Sequence, residues 1–271
     1  MFVVTGATGN VGGELVRILT AAGEDVVAVS RRPGPLPDGV SHRPADLGDP
    51  DGLRAAFDGA KALFLLVAGD DPEAILGIAK EKGVRQVVLM SSQGVGTRPA
   101  AYGHAAMFEA AVRDCGLDWT ILRSGGLDSN AFAWAESIRT DRTAAAPFGS
   151  VGLPTVDPAD VAAVAAVTLR KDGFAGRTYE LTGPELVTPR DRAAAIGAAL
   201  GTPVRYIEQT RDEARAQMLT FMPEPVADGT LAILGDPLPA EQRISPDVAH
   251  ILGRAPHTFA DWATRTAAAF R

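Results

Sequence analysis

Short apolar runs alternate with stretches of helical spacing through the first half of the chain. The first run, Phe2 to Val4, leads into a glycine-rich turn, after which apolar residues recur at Val11, Leu15 and Leu19. This pattern predicts a strand, a tight turn and a helix. Further strands are predicted at residues 25–29, 40–43, 61–68, 86–90 and 119–122. Uninterrupted alternation of this kind is typical of a parallel sheet with helices on both faces.

The second half of the chain is less regular. A helix is predicted at 99–114, a small-residue loop at 143–154, strands at 178–182 and 204–207, and further helices at 132–139, 158–169, 189–200, 210–222, 227–238 and 259–270. We predict an α/β fold, with a Rossmann-type doubly wound parallel sheet and a smaller C-terminal α/β substrate region. Residues 1–150 are expected to form the nucleotide-binding domain. Residues 151–271 are expected to form the substrate-side region, interleaved with the core.

Glycines at positions 6, 9 and 12 follow the first predicted strand. Their spacing differs from the Gly-x-Gly-x-x-Gly of the commonest dinucleotide fingerprint, but strand, turn and helix occur in the required order. Such glycines allow a sharp turn, close approach of a ligand and tight packing of helix on strand. The free N–H groups of the first helical turn would face an anion, and we expect that anion to be a pyrophosphate. No Gly-Lys-Ser/Thr follows, which excludes a nucleotide-hydrolase phosphate loop.

Two arginines, Arg31 and Arg32, stand at the tip of the second predicted strand. In dinucleotide-binding folds this tip meets the adenosine ribose, and an acidic residue there binds the 2′-hydroxyl of NAD. Arginines suit the 2′-phosphate of NADP, which guanidinium groups clasp with two hydrogen bonds. The alternative is a solvated basic turn. Asp46, after the third strand, is either a loop or capping acid or a contact to the adenine.

Composition narrows the choice of partners. The 271 residues carry a net charge of -7, so nucleic acid and anionic membranes are poor default partners. The single cysteine, Cys115, excludes an internal disulfide and fits a reducing compartment. No charged leader or long apolar span is seen, and we expect a cytoplasmic protein. The histidines are scattered without metal-ligand spacing, so no metal site is expected.

Several stretches together resemble the NmrA-like branch of the atypical short-chain dehydrogenases/reductases. They are Thr5–Gly12, Asp46-Leu47, Gln86–Ser92, Gly116–Arg123 and Val156–Ala162. The family includes NADPH-dependent quinone and isoflavone-type reductases, together with members that sense the nicotinamide pool without catalysis. Family members commonly carry a proline after the arginine of the sixth-strand motif. Here Ser124 stands in that place, which leaves the shape of the substrate-side loop open.

The resemblance implies an NADP(H) site that draws on most of the carboxyl edge of the sheet. The implied contacts are Gly6, Thr8, Gly9, Asn10 and Val11, with Gly12, for the pyrophosphate turn, Arg31 and Arg32 for the 2′-phosphate, Asp46 and Leu47 for the adenine, Val67 and Ala68 for the ribose, and Ser91 and Ser92 for the nicotinamide side.

The catalytic pair of typical short-chain dehydrogenases is missing. That pair needs a lysine four residues after a tyrosine, so that both share one helix face and the lysine charge stabilises the phenolate. Tyr102 is suitably placed, but Ala106 stands four residues later. Tyr102, His104 and Ser91 are the remaining catalytic candidates, and for His104 a partly exposed helix position without function is the alternative. Glu109 is expected to face solvent or to cap a loop.

Three functions fit these observations. We favour an NADPH-dependent reductase of a hydrophobic conjugated carbonyl or quinone, acting by hydride transfer. The alternatives are a non-catalytic NADP(H) redox sensor and a non-redox biosynthetic enzyme on the same fold. The expected substrate is a small aromatic or enone molecule, and the protein is either a monomer or a homodimer. Candidate pocket residues are Phe132, Trp134, Phe148, Phe221 and Met222.

Overall fold

The chain forms nine strands, and a computed structural model describes all 271 residues. The strands are β1 (Phe2–Thr5), β2 (Val26–Ser30), β3 (Ser41–Pro44), β4 (Ala62–Leu66), β5 (Gln86–Ser92), β6 (Asp118–Ser124), β7 (Thr143–Ala146), β8 (Arg177–Leu181) and β9 (Arg205–Glu208). Seven of them form one parallel sheet in the order β3-β2-β1-β4-β5-β6-β8. The other two, β7 and β9, pair in parallel as a small second sheet. The predicted doubly wound α/β fold is confirmed.

Twelve α-helices connect and cover these strands. They are α1 (Asn10–Ala21), α2 (Arg54–Phe57), α3 (Pro72–Glu81), α4 (Gly94–Thr97), α5 (Gly103–Asp114), α6 (Ala135–Asp141), α7 (Pro158–Arg170), α8 (Pro189–Leu200), α9 (Arg211–Met218), α10 (Glu224–Gly235), α11 (Asp247–Leu252) and α12 (Phe259–Thr266). Short 3₁₀ helices occur at Pro50–Leu53, Asp128–Trp134 and Ala267–Phe270. None of the helices combines the length and apolar character needed to cross a membrane.

Apolar side chains bury both faces of the main sheet. On one face α1 and α7 pack against it, with Leu15 and Val164 fully buried. On the other face α2, α3 and α5 contribute Phe57, Ile75 and Phe108. The parallel strands bring all their carboxyl ends to one edge, which is where ligands bind in open α/β sheets.

A separate apolar cluster lies around the small second sheet. It includes Ile138, Ile196 and Trp262 from α6, α8 and α12, and Phe270 from the last 3₁₀ turn. The chain reaches this region twice, first between β6 and α7 and again after β8, while α7 and β8 themselves belong to the main sheet and its helix layer.

Two local predictions were wrong, and one helix was missed. The helix expected from Pro99 begins at Gly103, and residues 99–101 form a turn between it and the short α4. The loop expected at 143–154 contains β7, an alanine-rich strand that forms by pairing with the distant β9. The helix α11 was not predicted at all.

Candidate functional site

The glycine-rich turn joins β1 to α1 at the carboxyl edge. Gly6 has a φ of +62°, which side-chain-bearing residues rarely adopt. A β-carbon at Gly12 would lie 2.7 Å from the carbonyl carbon of Gly6, so only glycine lets α1 pack this closely on the turn. Thr5 links the start of the turn to β4. Its hydroxyl donates to the carbonyl of Phe64 and accepts from the amide of Leu66, both at 3.0 Å.

A cavity of about 730 Å³ opens between this turn and the ends of β2 and β4. Its volume is within the range of small-molecule sites. Eight of the predicted cofactor residues line it: Gly6, Thr8, Gly9, Arg31, Arg32, Asp46, Leu47 and Ala68. Thr5, Val29, Ser30, Ala45, Leu66 and Gly69 complete the wall.

The remaining predicted cofactor residues lie elsewhere. Asn10 faces a second cleft on the other side of the turn. Val11 is buried in the core beneath α1, and Val67 packs against the core on the opposite face. Ser91 and Ser92 end β5, outside the wall of the 730 Å³ cavity. Their contact with the cofactor stays a prediction.

Arg31 and Arg32 are both exposed at the outer end of the cavity. No carboxylate is within ion-pair distance of either guanidinium. The hydroxyl of Ser30 lies 2.7 Å from the carbonyl oxygen of Arg32 and 2.9 Å from Nε2 of His42, which fixes the backbone at this tip. The contact between His42 and Ser30 has no signal in the sequence, because a loop separates the two residues along the chain.

Glu109 is fully buried, so the prediction that it faces solvent or caps a loop was wrong. Its carboxylate accepts a hydrogen bond of 2.7 Å from the Ser91 hydroxyl, two from Arg123 at 2.8 and 2.7 Å, and one from Arg113 at 2.7 Å. Burial pushes the pKa of Glu109 upward, but these donors outweigh it and hold the pKa below its ordinary value. The cluster fixes Ser91 and the ends of β5 and β6, and it directs the Ser91 hydroxyl toward Glu109.

Tyr102 and His104 lie at the start of α5, beside the end of β5. Tyr102 is the residue before the first turn of that helix, and its hydroxyl is near those of Thr230 on α10 and Ser92. Burial raises the pKa of Tyr102, and the two hydroxyls offset only part of the rise. Nε2 of His104 lies 2.7 Å from the carbonyl oxygen of Gly69, at the rim of the 730 Å³ cavity. Their catalytic roles stay predictions.

The segment after α10 is tied to the loop that follows β5. Arg98 donates to the buried Glu241 carboxylate at 2.7 and 2.9 Å and to the carbonyl of Asp236 at 2.9 Å. Gln93 donates to the carbonyl of Ala240 at 3.2 Å. This clamp, consisting of Gln93, Arg98 and Glu241, holds the C-terminal region beside Ser92 and Tyr102.

The five aromatic and methionine residues expected to form one apolar pocket are not gathered together. Phe132 and Trp134 pack in the C-terminal core, with the Phe132 ring 5.1 Å from that of Trp262. Phe148 lies against α10 at Gly235. Phe221 is 69% exposed at the end of the α9–α10 turn, next to the half-buried Met222. The prediction that these five residues line one pocket was therefore wrong.

The second cleft measures about 700 Å³ and lies between α1 and the C-terminal region. It shares Thr8 and Gly9 with the first cavity. Its charged groups are already paired, Arg17 with Glu14 and Arg265 with Asp157. Its lining residues are Ala7, Thr8, Gly9, Asn10, Gly13, Glu14, Arg17, Pro35, Ser129, Phe132, Asp157, Pro158, Ala159, Trp262, Arg265 and Thr266.

Asp157, Asp160 and His257 approach one another beside this cleft, close enough by distance alone to share a cation. The histidine Nδ1 lies 3.2 Å from Asp157 and 3.0 Å from Asp160. Arg265 already pairs with Asp157 and Arg254 with Asp160. The cluster therefore attaches the C-terminal segment to the start of α7 through ion pairs.

Known proteins resemble the chain over its full length. An NAD(P)H-binding family matches residues 6–172. A (4-alkanoyl-5-oxo-2,5-dihydrofuran-3-yl)methyl phosphate reductase of Streptomyces griseus subsp. griseus is 36% identical over 281 residues, covering 100% of this chain and 99% of that protein. An NAD(P)H azoreductase of Xenophilus azovorans is 31% identical over 285 residues, again covering 100% and 99%.

The fold is shared with a solved NADPH complex. The NADPH-dependent quinone oxidoreductase of Escherichia coli matches with a TM-score of 0.79 at 24% identity, covering 98% of this chain and 99% of that one. The glycine cradle and the adjoining cavity fit an NAD(P)H cofactor, as the sequence predicts. The chain therefore belongs to the NAD(P)H-binding, NmrA-like family of atypical short-chain dehydrogenases/reductases.

Proposed function

We propose that this protein is an NADPH-dependent reductase of small, hydrophobic, conjugated substrates such as quinones and unsaturated carbonyl compounds. The observation that carries the proposal is the 730 Å³ cavity, in which the glycine turn and two unpaired arginines flank one space. The named relatives add chemical support, since a dihydrofuranone phosphate, azo compounds and quinones are all conjugated acceptors of electrons.

The cavity accounts for the adenosine half of the cofactor. The N-terminus of α1 and the amides around Gly9 suit the pyrophosphate, because unpaired N–H groups and the helix dipole both favour negative charge. Arg31 and Arg32 suit a 2′-phosphate, which carries two negative charges that a 2′-hydroxyl lacks. From these two arginines we infer that the protein prefers NADPH to NADH.

The bound nicotinamide would supply a hydride, and the protein must supply a proton and hold the substrate in place. Tyr102 suits a hydrogen-bond donor, because its raised pKa keeps the phenol protonated at neutral pH. His104 is the second candidate, at the rim of the cavity. Ser91 donates to Glu109, so its role in this proposal is to fix the end of β5 beside Ser92.

The substrate would lie between the end of β5 and α10. The clamp of Gln93, Arg98 and Glu241 frames this region on one side, and Tyr102 with Thr230 frames it on the other. In such a site the surrounding side chains orient a flat acceptor. We therefore propose that positioning of the substrate contributes most of the rate enhancement.

Nucleotide titration tests the cofactor assignment. Intrinsic fluorescence of Trp119, Trp134 and Trp262 is followed during addition of NADPH or NADH to the wild type, to Arg31→Ala and to Arg32→Ala. We expect tighter binding of NADPH, and loss of that preference in both variants. Arg85→Ala is the matched control, because Arg85 is exposed at the opposite, amino-terminal edge of the sheet. Absence of binding by either nucleotide would overturn the proposal.

Turnover separates the reductase from the other functions. NADPH consumption is measured with a quinone, an azo dye and a conjugated butenolide, each as sole acceptor. A reductase oxidises NADPH with at least one of these. Tight NADPH binding without oxidation by any acceptor would instead favour a redox sensor or a non-redox enzyme.

A further inference from the structure

The two arginines beside the cofactor cavity lie on a segment that is almost without hydrogen bonds. Residues 31–36 follow the end of β2 and form no backbone–backbone hydrogen bond. Their single hydrogen bond joins the Ser30 hydroxyl to the carbonyl oxygen of Arg32, at 2.7 Å. We call residues 30–34 the arginine turn. The position of Arg32 therefore depends on the side chain of Ser30.

Ser30 is held in turn by His42 of the neighbouring strand. Parallel pairing of β2 with β3 sets Ala28 opposite His42 and Ser30 opposite Pro44. Because side chains alternate along a strand, those of Ser30 and His42 lie on the same face of the sheet. Nε2 of His42 lies 2.9 Å from Oγ of Ser30, which is only 8% exposed. The register of the two strands thus brings the imidazole to the arginine turn.

The direction of these hydrogen bonds fixes the tautomer of His42. A hydroxyl has one hydrogen and a carbonyl oxygen can only accept, so the Ser30 hydrogen points to Arg32. The Ser30 oxygen can then bond to His42 only as an acceptor, and Nε2 of His42 must carry a hydrogen. The opposite tautomer would place two lone pairs against each other. His42, Ser30 and Arg32 therefore form one directed chain of hydrogen bonds, which we call the His42 chain.

The far end of the arginine turn is held by a close contact. A β-carbon at Gly34 would lie 2.8 Å from Cγ2 of Thr8, so the arginine turn passes directly over the glycine-rich turn. Thr8 and both arginines line the same 730 Å³ cavity. The His42 chain and this contact thus fix the arginine turn at its two ends, with Arg31 and Arg32 between them.

No acidic side chain pairs with the basic groups around the arginine turn. His42, like Arg31 and Arg32, has no carboxylate within ion-pair distance, although the whole chain carries a net charge of -7. Ser30 and both arginines line the cavity, and His42 does not. The contact of His42 with a ligand in the cavity is therefore indirect, through Ser30 and Arg32.

We propose that His42 is a positioning residue for the 2′-phosphate of NADPH, and that it acts by holding Ser30 and the backbone of Arg32. The inference rests on the proposed function, in which the two guanidinium groups bind that phosphate. Binding by both groups requires each at a defined position, which a turn without other hydrogen bonds would not maintain. NADH lacks the 2′-phosphate, so its binding should not depend on His42.

Nucleotide titration of variants tests the proposal. His42→Phe keeps an aromatic ring but cannot donate, so NADPH should bind about tenfold more weakly, while NADH affinity changes by less than about twofold. Ser30→Ala should give the same selective loss. The double variant should lose no more than either single variant, because both break the same chain. His42→Gln, whose side-chain amide can donate, should restore most of the NADPH affinity.

A spectroscopic measurement tests the His42 chain without any nucleotide. In cofactor-free protein labelled with ¹⁵N at histidine and studied at pH ~8, the His42 signals should show one tautomer, with its hydrogen on Nε2. These signals are identified by their absence from His42→Gln. In Ser30→Ala both tautomers should be populated, because the acceptor is gone. A wild-type His42 with its hydrogen on Nδ1 would overturn the proposal.

The outcomes separate this inference from the proposed function. His250→Phe, at an exposed position of α11, is the matched control and should bind both nucleotides as the wild type does. Equal weakening of NADPH and NADH in His42→Phe, or additive losses in the double variant, would overturn the role of His42 alone. A wild type without NADPH preference would overturn the 2′-phosphate site and this inference with it. Failure of the wild type to reduce any acceptor would overturn the reductase function and leave the binding test intact.

Discussion

The ring of Tyr102 lies against the backbone of Gly94, where a β-carbon would stand 2.5 Å from its Cδ2 atom. Gly94 begins α4 directly after β5, so the end of the strand and the phenol are positioned as one unit. The same ring reaches toward Thr230 of α10. The position of the Tyr102 ring therefore requires glycine at position 94.

Gly94→Ala should displace Tyr102 from the end of β5. Because the new methyl group overlaps the ring rather than the cavity, we expect kcat to fall about tenfold or more, while NADPH affinity changes little. Steady-state kinetics and nucleotide titration measure the two effects separately. Gly77→Ala, on α3 with open space around it, is the control for a helix glycine. Equal loss of affinity and kcat in Gly94→Ala would contradict this explanation.

Gly12→Ala should abolish nucleotide binding. The added methyl group would lie 2.7 Å from the carbonyl carbon of Gly6, so α1 must move away from the turn that faces the pyrophosphate. Gly13→Ala is the matched variant, because its methyl group would make an ordinary 3.5 Å contact with the carbonyl oxygen of Ala7. That variant should bind NADPH and gain about 0.5–1 kcal/mol from helix propensity. Fluorescence titration and thermal unfolding distinguish them.

Asp128 should make the free energy of unfolding depend on pH. Its folded pKa is about 7, above the value of 3.8 for an unperturbed aspartate. The folded state therefore binds the proton more tightly, and the resulting stabilisation is complete below pH 3.8 and is lost as pH rises to about 7. Asp128→Asn lacks this dependence. Urea unfolding at pH ~5 and ~8 should show the variant gaining stability relative to the wild type at the higher pH. An unchanged difference between the two proteins would contradict a pKa of Asp128 that burial raises.

The Arg98–Glu241 pair should contribute to stability because Glu241 is buried. Arg98→Ala leaves that carboxylate, 2% exposed, without its cation, and removal of one partner of a buried pair typically costs about 3–5 kcal/mol. We expect a loss toward the lower end of this range, since Leu238 still donates its amide to Glu241 at 2.8 Å. Arg54→Ala, which breaks exposed pairs with Asp51 and Glu81, should destabilise much less. Chemical denaturation at two salt concentrations measures both.

The main sheet could be predicted from sequence because its signals are local. The apolar runs of β1, β4 and β5 and the stop residues after each helix mark their own positions within one or two residues. The glycine turn was equally predictable, since turn, helix start and strand are contiguous. Contacts between distant residues left no such signal. Glu109 reads as an exposed helix residue until Arg123, from the next strand, is placed beside it.

The C-terminal region was less predictable for the same reason. β7 is four residues of small side chains whose strand geometry depends on β9, some sixty residues later in the chain. The polar side chains of Asp128, Thr155 and Arg192 come from three separate elements, so their common burial is visible only in the folded chain. The sequence leaves the shape of the substrate-side loop after Arg123 open, and only the structure shows that Asp128, which follows this loop, is fully buried.

The chain leaves the main sheet twice to build the region facing the carboxyl edge, and the small β7–β9 sheet joins the two excursions. Neither excursion can be exchanged alone, because each holds one strand of a pair. Grafting the specificity of one relative onto another therefore requires two coordinated transplants, residues 125–157 and 182–271, into a retained frame that includes α7 and β8. A chimaera made at a single crossover would pair β7 of one protein with β9 of the other. Loss of activity in that chimaera would then reflect faulty assembly of the small sheet and not a change in substrate recognition.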